Sequence, residues 1–174
     1  MKRGQLLSQP FFYIFAIIVI GLILIFGFNY IAKILKTGCE VETLDFVGDV
    51  RAEVNQLRAL SFGSSFECTF TSIGGSENRC EFIFPSNVEG ICFVDTTKSQ
   101  YEKIKFEDVK NIVMGLGPSA NRNLFFSVEK SSSCRADPVK IDNIKIDSPV
   151  CIDLKEENSF IMENVGSVVE IKKT

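Results

Sequence analysis

The apolar and polar positions of this chain fall into three regimes. From residue 4 to residue 32 there is no charged side chain, and residues 11–28 read FFYIFAIIVIGLILIFGF, apolar on every side of a helix. Eighteen helical residues rise roughly 27 Å, and Pro10 with residues 29–32 extends the run to the roughly 30 Å of a bilayer's hydrocarbon core. Tyr13 and Tyr30 stand near its two ends, where amphipathic rings prefer the interface. Ser8 suits a helix cap, and Pro10 falls in the first turn, where a missing N–H has no cost. The run exceeds a secretory signal's apolar region and has no small-x-small cleavage site after it, which makes it an anchor.

In the second regime the pattern is one-sided. Gly38 is expected to end the first helix, after which Val41, Leu44, Val47, Val50, Val54, Leu57 and Leu60 recur every three or four residues, with Glu42, Asp45, Asp49, Glu53 and Arg58 between them. This predicts an amphipathic helix of about twenty residues that covers one face of a sheet.

In the third regime the period shortens to two. FECTF (66–70) and CEFIF (80–84) alternate, with Gly74-Gly75 between them, and predict a hairpin. Strands are expected at 91–95, 124–129, 141–146, 150–154, 160–163 and 168–171. A short helix is expected at 106–114, closed by Gly115 and Gly117-Pro118. The fold class is therefore α+β: an N-terminal transmembrane helix, an amphipathic helix, then a small antiparallel β-rich domain, a sheet or sandwich packed against the second helix. The boundaries are a short basic segment at 1–9, the membrane helix at 10–32, the stem at 33–60 and the β-rich extracytoplasmic domain at 61–174. Of the chain's sixteen phenylalanines ten fall within 61–174, and these, with no tryptophan, supply its core.

Cysteine usage places that domain. Cys39, Cys68, Cys80, Cys92, Cys134 and Cys151 all follow the apolar run, and their even number suits disulfides in an oxidising compartment. No two are closer than twelve residues and the chain has no histidine, so zinc-knuckle spacing is absent. In the hairpin Cys68 faces Cys80, within reach of a bridge contributing about 3 kcal/mol. The pairing of Cys39, Cys92, Cys134 and Cys151 stays open among three connectivities. The basic flanks, Lys2 and Arg3 before the run and Lys33 and Lys36 after it, are nearly balanced and favour a cytoplasmic N-terminus by a narrow margin.

Chemistry is sparse. Without histidine, Ser-His-Asp and Cys-His arrangements do not exist. Ser127 to Lys130 fits SxxK, but KTG (36–38) precedes it at the membrane boundary and no SDN lies between. Gly115-Leu-Gly117 opens no helix, and no DxDxDG calcium loop occurs. No catalytic, metal or cofactor site is assigned, and the protein is read as a non-enzyme. From Cys39 onward 15 basic side chains meet 22 acidic ones, an excess that argues against nucleic acid as a partner.

The first residues, Lys2-Arg3-Gly4-Gln5-Leu6 with Ser8-Gln9 ahead of the apolar run, resemble the class III signal of archaeal type IV pilin-like proteins. The resemblance covers about thirty residues. It implies that a membrane peptidase cuts between Gly4 and Gln5. It also implies that the uncut helix stays in the membrane or becomes the core of a filament, with a β-rich head behind. Gln9 stands where that family often carries a glutamate, and Pro10 and the expected break at Gly38 depart from a continuous stem. The role expected is a membrane-anchored structural or interaction protein, pilin-like, with the lipid bilayer, further copies or a membrane protein as partners. The alternatives are an anchored ligand- or peptide-binding module and an accessory subunit of a membrane complex.

Overall fold

The computed structural model describes residues 8–71, 80–130, 134, 136–153, 155–156 and 159–174. Two compact units are present, residues 1–38 and residues 39–174.

The first helix does not stop at Gly38. Helix α1 runs uninterrupted over Ser8–Arg58, 51 residues. The expected break is thus corrected, and the reason is tertiary. A glycine inside a helix costs about 1 kcal/mol against alanine, too little to end it unless the chain beyond turns left-handed. The next turn is instead held firmly. Cys39 is buried and joined to Cys134, and Thr43 Oγ1 donates to the Cys39 carbonyl at 2.8 Å. The helix ends in a tight turn at Ala59 and Leu60, and Gly63 takes a positive φ before the first strand.

The buried stripe of α1 also differs from the expected one. Phe46, Val47, Val50, Val54 and Leu57 enter the core, whereas Val41, Leu44 and Leu60 are exposed. A helix with apolar residues on two faces is ambiguous in sequence, and the strands decide which face is covered.

Among the described residues eight strands follow: β1 (Ser65–Thr71), β2 (Glu81–Ile83), β3 (Val88–Phe93), β4 (Leu124–Val128), β5 (Ile144–Lys145), β6 (Val150–Asp153), β7 (Ser159–Asn164) and β8 (Val169–Lys173). Helix α2 (Glu107–Leu116) lies between β3 and β4, after a short 3-10 turn at Tyr101–Lys103. They form a five-stranded sheet in the order β2-β1-β7-β8-β5 and a three-stranded sheet in the order β4-β3-β6. The sheet is not wholly antiparallel as expected: β1 pairs β2 in parallel, and so does β5 with β8. The hairpin expected between residues 66–70 and 80–84 is therefore corrected. Two short alternating strands fit either direction locally; here β1 also pairs antiparallel with β7 along its length. The expected Gly74-Gly75 turn and Leu154 lie outside the described residues.

One core joins the buried face of α1 to both sheets. Its centre is aromatic: Phe46 meets Phe82 edge-on at 5.6 Å, Phe93 lies 5.4 Å from Phe160, and Phe82 stacks on Phe160 at 6.0 Å. A second cluster lies on the small sheet, where Val109 and Val113 of α2 pack with Cys92, Phe125 and Cys151. Gly90 permits this approach, because a Cβ there would fall 2.0 Å from the Phe106 ring and 2.7 Å from the Ile152 carbonyl.

Candidate functional site

The most extensive feature beyond the packed core is the apolar half of α1. Residues Phe11–Ile31 form a stretch of 21 residues, about 32 Å long, long and apolar enough to cross a membrane. Its side chains are exposed all round: Phe11 is 73% exposed, Ile17 70% and Phe28 71%. Such a surface is far larger than the apolar patches a water-soluble monomer tolerates. Within the stretch, Asn29 donates to the Ile25 carbonyl at 3.0 Å, which satisfies its amide inside the helix. The residues around the expected cleavage point, Gly4 and Gln5, lie outside the described residues.

All six cysteines are bridged. Cys68 joins Cys80 across the parallel strands, one residue before the Thr69–Glu81 register pair. Cys92 and Cys151 are direct partners on β3 and β6 and form the second bridge. Cys39 of α1 joins Cys134 in the loop after β4. The Cys39–Cys134 and Cys92–Cys151 bridges interlace in sequence, so each closes a loop that the other enters. The sequence left these four cysteines unpaired, because pairings across 95 and 59 residues depend on topology.

The polar residues work mainly in support. Ser127, the serine of the SxxK match, is buried, and its hydroxyl lies 3.0 Å from each carboxylate oxygen of Asp108 in the first turn of α2. The Val128 N–H donates to the same carboxylate at 3.3 Å. Asp108 thereby ties α2 to β4, and the serine is structural. A second device was missed in sequence. Asn164, at the end of β7 and only 2% exposed, donates its amide to the carbonyls of Leu57 at 3.0 Å and Leu60 at 2.9 Å, while its Oδ1 accepts from the Gly166 N–H at 2.8 Å. It caps the end of α1 from 107 residues away. In the sequence it lies between the strands expected at 160–163 and 168–171, where nothing local signals a partner 107 residues away.

An ion-pair chain borders β8. Lys172 lies 2.6 Å from Glu163 and 2.9 Å from Glu170, and Lys145 reaches Glu170 at 3.3 Å and Asp147 at 2.8 Å. The hydrogen bond from Lys145, more than any other contact, holds the Asp147 carboxyl well below the usual range. Beside them is an open cleft of about 450 Å³ lined by Asp95, Arg122, Lys140, Asp142 and Asn143 among others. Lys140 is paired with Asp142, and the Asn123 amide is engaged in both directions by the Ile141 backbone. The Asp95 carboxylate in its lining accepts from both the hydroxyl and the N–H of Thr97, at 2.6 and 3.0 Å, and so closes a local turn. No protein-family model, curated protein or solved structure matches the chain.

Proposed function

We propose that this protein is a single-pass membrane protein whose disulfide-braced head stands outside the cytoplasm, and that it serves as a pilin-like structural or interaction subunit. The observation that carries the reading is α1. One uninterrupted helix is apolar and exposed over Phe11–Ile31, then one-sided and built into the core of a β-rich head from Phe46 to Leu57. Its continuity through Gly38 removes one departure from a pilin stem. Three disulfides support an oxidising compartment for the head. The Lys2-Arg3-Gly4-Gln5 signal supports processing between Gly4 and Gln5 by a membrane peptidase.

The test is N-terminal sequencing of protein taken from native membranes, together with antibody labelling of intact cells against the head. A chain beginning at Gln5 supports the pilin-like reading, and one beginning at Met1 refutes processing. Labelling that requires permeabilised cells would refute an external head. A full-length chain that stays monomeric and soluble without detergent would refute the anchor.

A further inference from the structure

Helix α1 buries one stripe in the head and leaves its back uncovered. Val41, Leu44, Gly48, Ala52 and Asn55 are all exposed, Val41 by 50% and Leu44 by 66%. At about 100° per residue they fall within an arc of about 80°, roughly opposite the buried stripe of Phe46, Val50 and Leu57. Their spacing is that of a helix-packing seam about 21 Å long. Gly48 has open space where a side chain would stand, which lets a second backbone come close.

The two flanks of this seam carry opposite charge. Asp45 lies about 60° to one side and Asp49 about 100°, whereas Arg51 and Arg58 lie about 60° and 80° to the other. Asp45 and Asp49 form no ion pair among the described residues. Arg51 donates to the Lys140 carbonyl and Arg58 to the Ser167 carbonyl, each at 3.0 Å, and both guanidinium groups keep further donors. Asp142, an acid that Arg51 also influences, is already paired with Lys140 at 2.9 Å. Of the acids in residues 39–58, Glu40 alone stands on the basic flank.

Two-fold symmetry makes this pattern selective. If two copies of the helix pack seam to seam in the same direction, each acidic flank meets the other copy's basic flank. If they run in opposite directions, like flanks meet. Copies anchored in one bilayer run in the same direction, so the membrane imposes the arrangement that the charges favour. We infer that this stem pairs in parallel with a second copy of itself through Val41, Leu44, Gly48 and Ala52, with Arg51 of each copy facing Asp45 and Asp49 of the other. The shared direction rests on the anchored reading above. The seam is short, so pairing depends on the bilayer that concentrates and aligns the copies.

The test uses the full chain with a donor or acceptor dye at its C-terminus, reconstituted in vesicles of zwitterionic lipid. Co-flotation with the vesicles reports the anchor and energy transfer reports the pairing, so the two readings fail separately. Saturable transfer, linear in acceptor fraction as for a dimer, is expected. Gly48→Glu, a gain in helix propensity at an exposed site, should abolish it. Arg51→Glu alone, and Asp45→Lys with Asp49→Lys alone, should each weaken pairing about tenfold or more. Mixing these two variants should restore it to within about threefold of wild type, because both flanks are then complementary again. Glu40→Lys removes a like-charge contact with the other copy's Asp45 and should tighten pairing about twofold. Glu102→Lys with Glu129→Lys, at exposed sites elsewhere, should change it less than about twofold. Absence of transfer from the floated chain overturns the proposal. So does full transfer by Gly48→Glu, which would place the association in the apolar stretch. A mixture that pairs no better than its two components, a looser pair with Glu40→Lys, or equal weakening by the control pair would each overturn the flank assignment and the proposal with it.

Discussion

Replacing Asn164 tests whether the end of α1 is held by a distant side chain. Its amide donates to the Leu57 and Leu60 carbonyls at 3.0 and 2.9 Å, with Arg58 at a marginal 3.5 Å, and its Oδ1 accepts from Gly166. Each good hydrogen bond is worth about 1 kcal/mol net, and each buried group left unpaired adds a further penalty of about 1 kcal/mol or more. Asn164→Ala removes three good bonds at a site 2% exposed, so a loss of about 3–4 kcal/mol is expected. For a unit of this size that is a fall of about 10 °C in melting temperature, measured by scanning calorimetry with the disulfides intact. Asn164→Asp keeps the shape but turns a carboxylate toward carbonyl oxygens. Its folded pKa must then lie above the ordinary aspartate value, because only the protonated form can donate. The aspartate variant should be less stable than the alanine variant at pH 7. That extra deficit is present in full above the raised pKa and fades as pH falls below about 4. A loss under about 0.5 kcal/mol for Asn164→Ala, or an aspartate variant as stable as wild type at pH 7, would refute the capping argument.

Gly90→Ala sets a methyl against the Phe106 ring and the Ile152 carbonyl, so about 2 kcal/mol or more should be lost in urea unfolding, and Phe106→Ala should relieve part of it in a double-mutant cycle. Glu53 has a folded pKa raised from the ordinary 4.5, and its Oε2 lacks a hydrogen-bond partner, so its ionisation opposes folding. Glu53→Gln should therefore stabilise the head by about 0.5 kcal/mol at pH 7, and the gain should vanish as pH falls below about 4; a gain independent of pH would count against the burial explanation. Replacing Cys39 and Cys134 by serine opens a 95-residue loop, for which chain entropy gives about 5 kcal/mol, against about 3 kcal/mol for the 12-residue loop of Cys68–Cys80; calorimetry on the two variants should rank them in that order.

What was legible in the sequence follows from range. The apolar stretch, the strands β1 and β7 and the short helix α2 are set by neighbours within a few positions; the apolar span, the two strands and α2 are found with boundaries shifted by one or two residues, although the helix carrying the apolar span runs on to Arg58. The expected strand at 141–146 shrinks to Ile144–Lys145, because Asn123 takes the Ile141 backbone groups with its amide in place of a neighbouring strand. The parallel pairing of β1 with β2 was not legible, since alternation carries no strand direction. Val41 and Leu44 were expected inside and lie outside. In a stem with two apolar faces, period alone does not say which one the phenylalanines of the sheets will meet.

Gly38 shows how the local and distant terms combine. On propensity alone the helix loses about 1 kcal/mol there. Within five residues on the C-terminal side, three ties act on the same turn: the Cys39–Cys134 bridge, the Glu42 carboxylate on the Ser86 N–H, and the Thr43 hydroxyl on the Cys39 carbonyl. The first two join the helix to segments far along the chain, and together they exceed the glycine's cost several-fold by ordinary magnitudes. Helicity on the C-terminal side of Gly38 is therefore a consequence of the head having folded. A head that is reduced or unfolded should lose helix first in residues 39–58, while residues 11–31, which take no part in these ties, keep theirs.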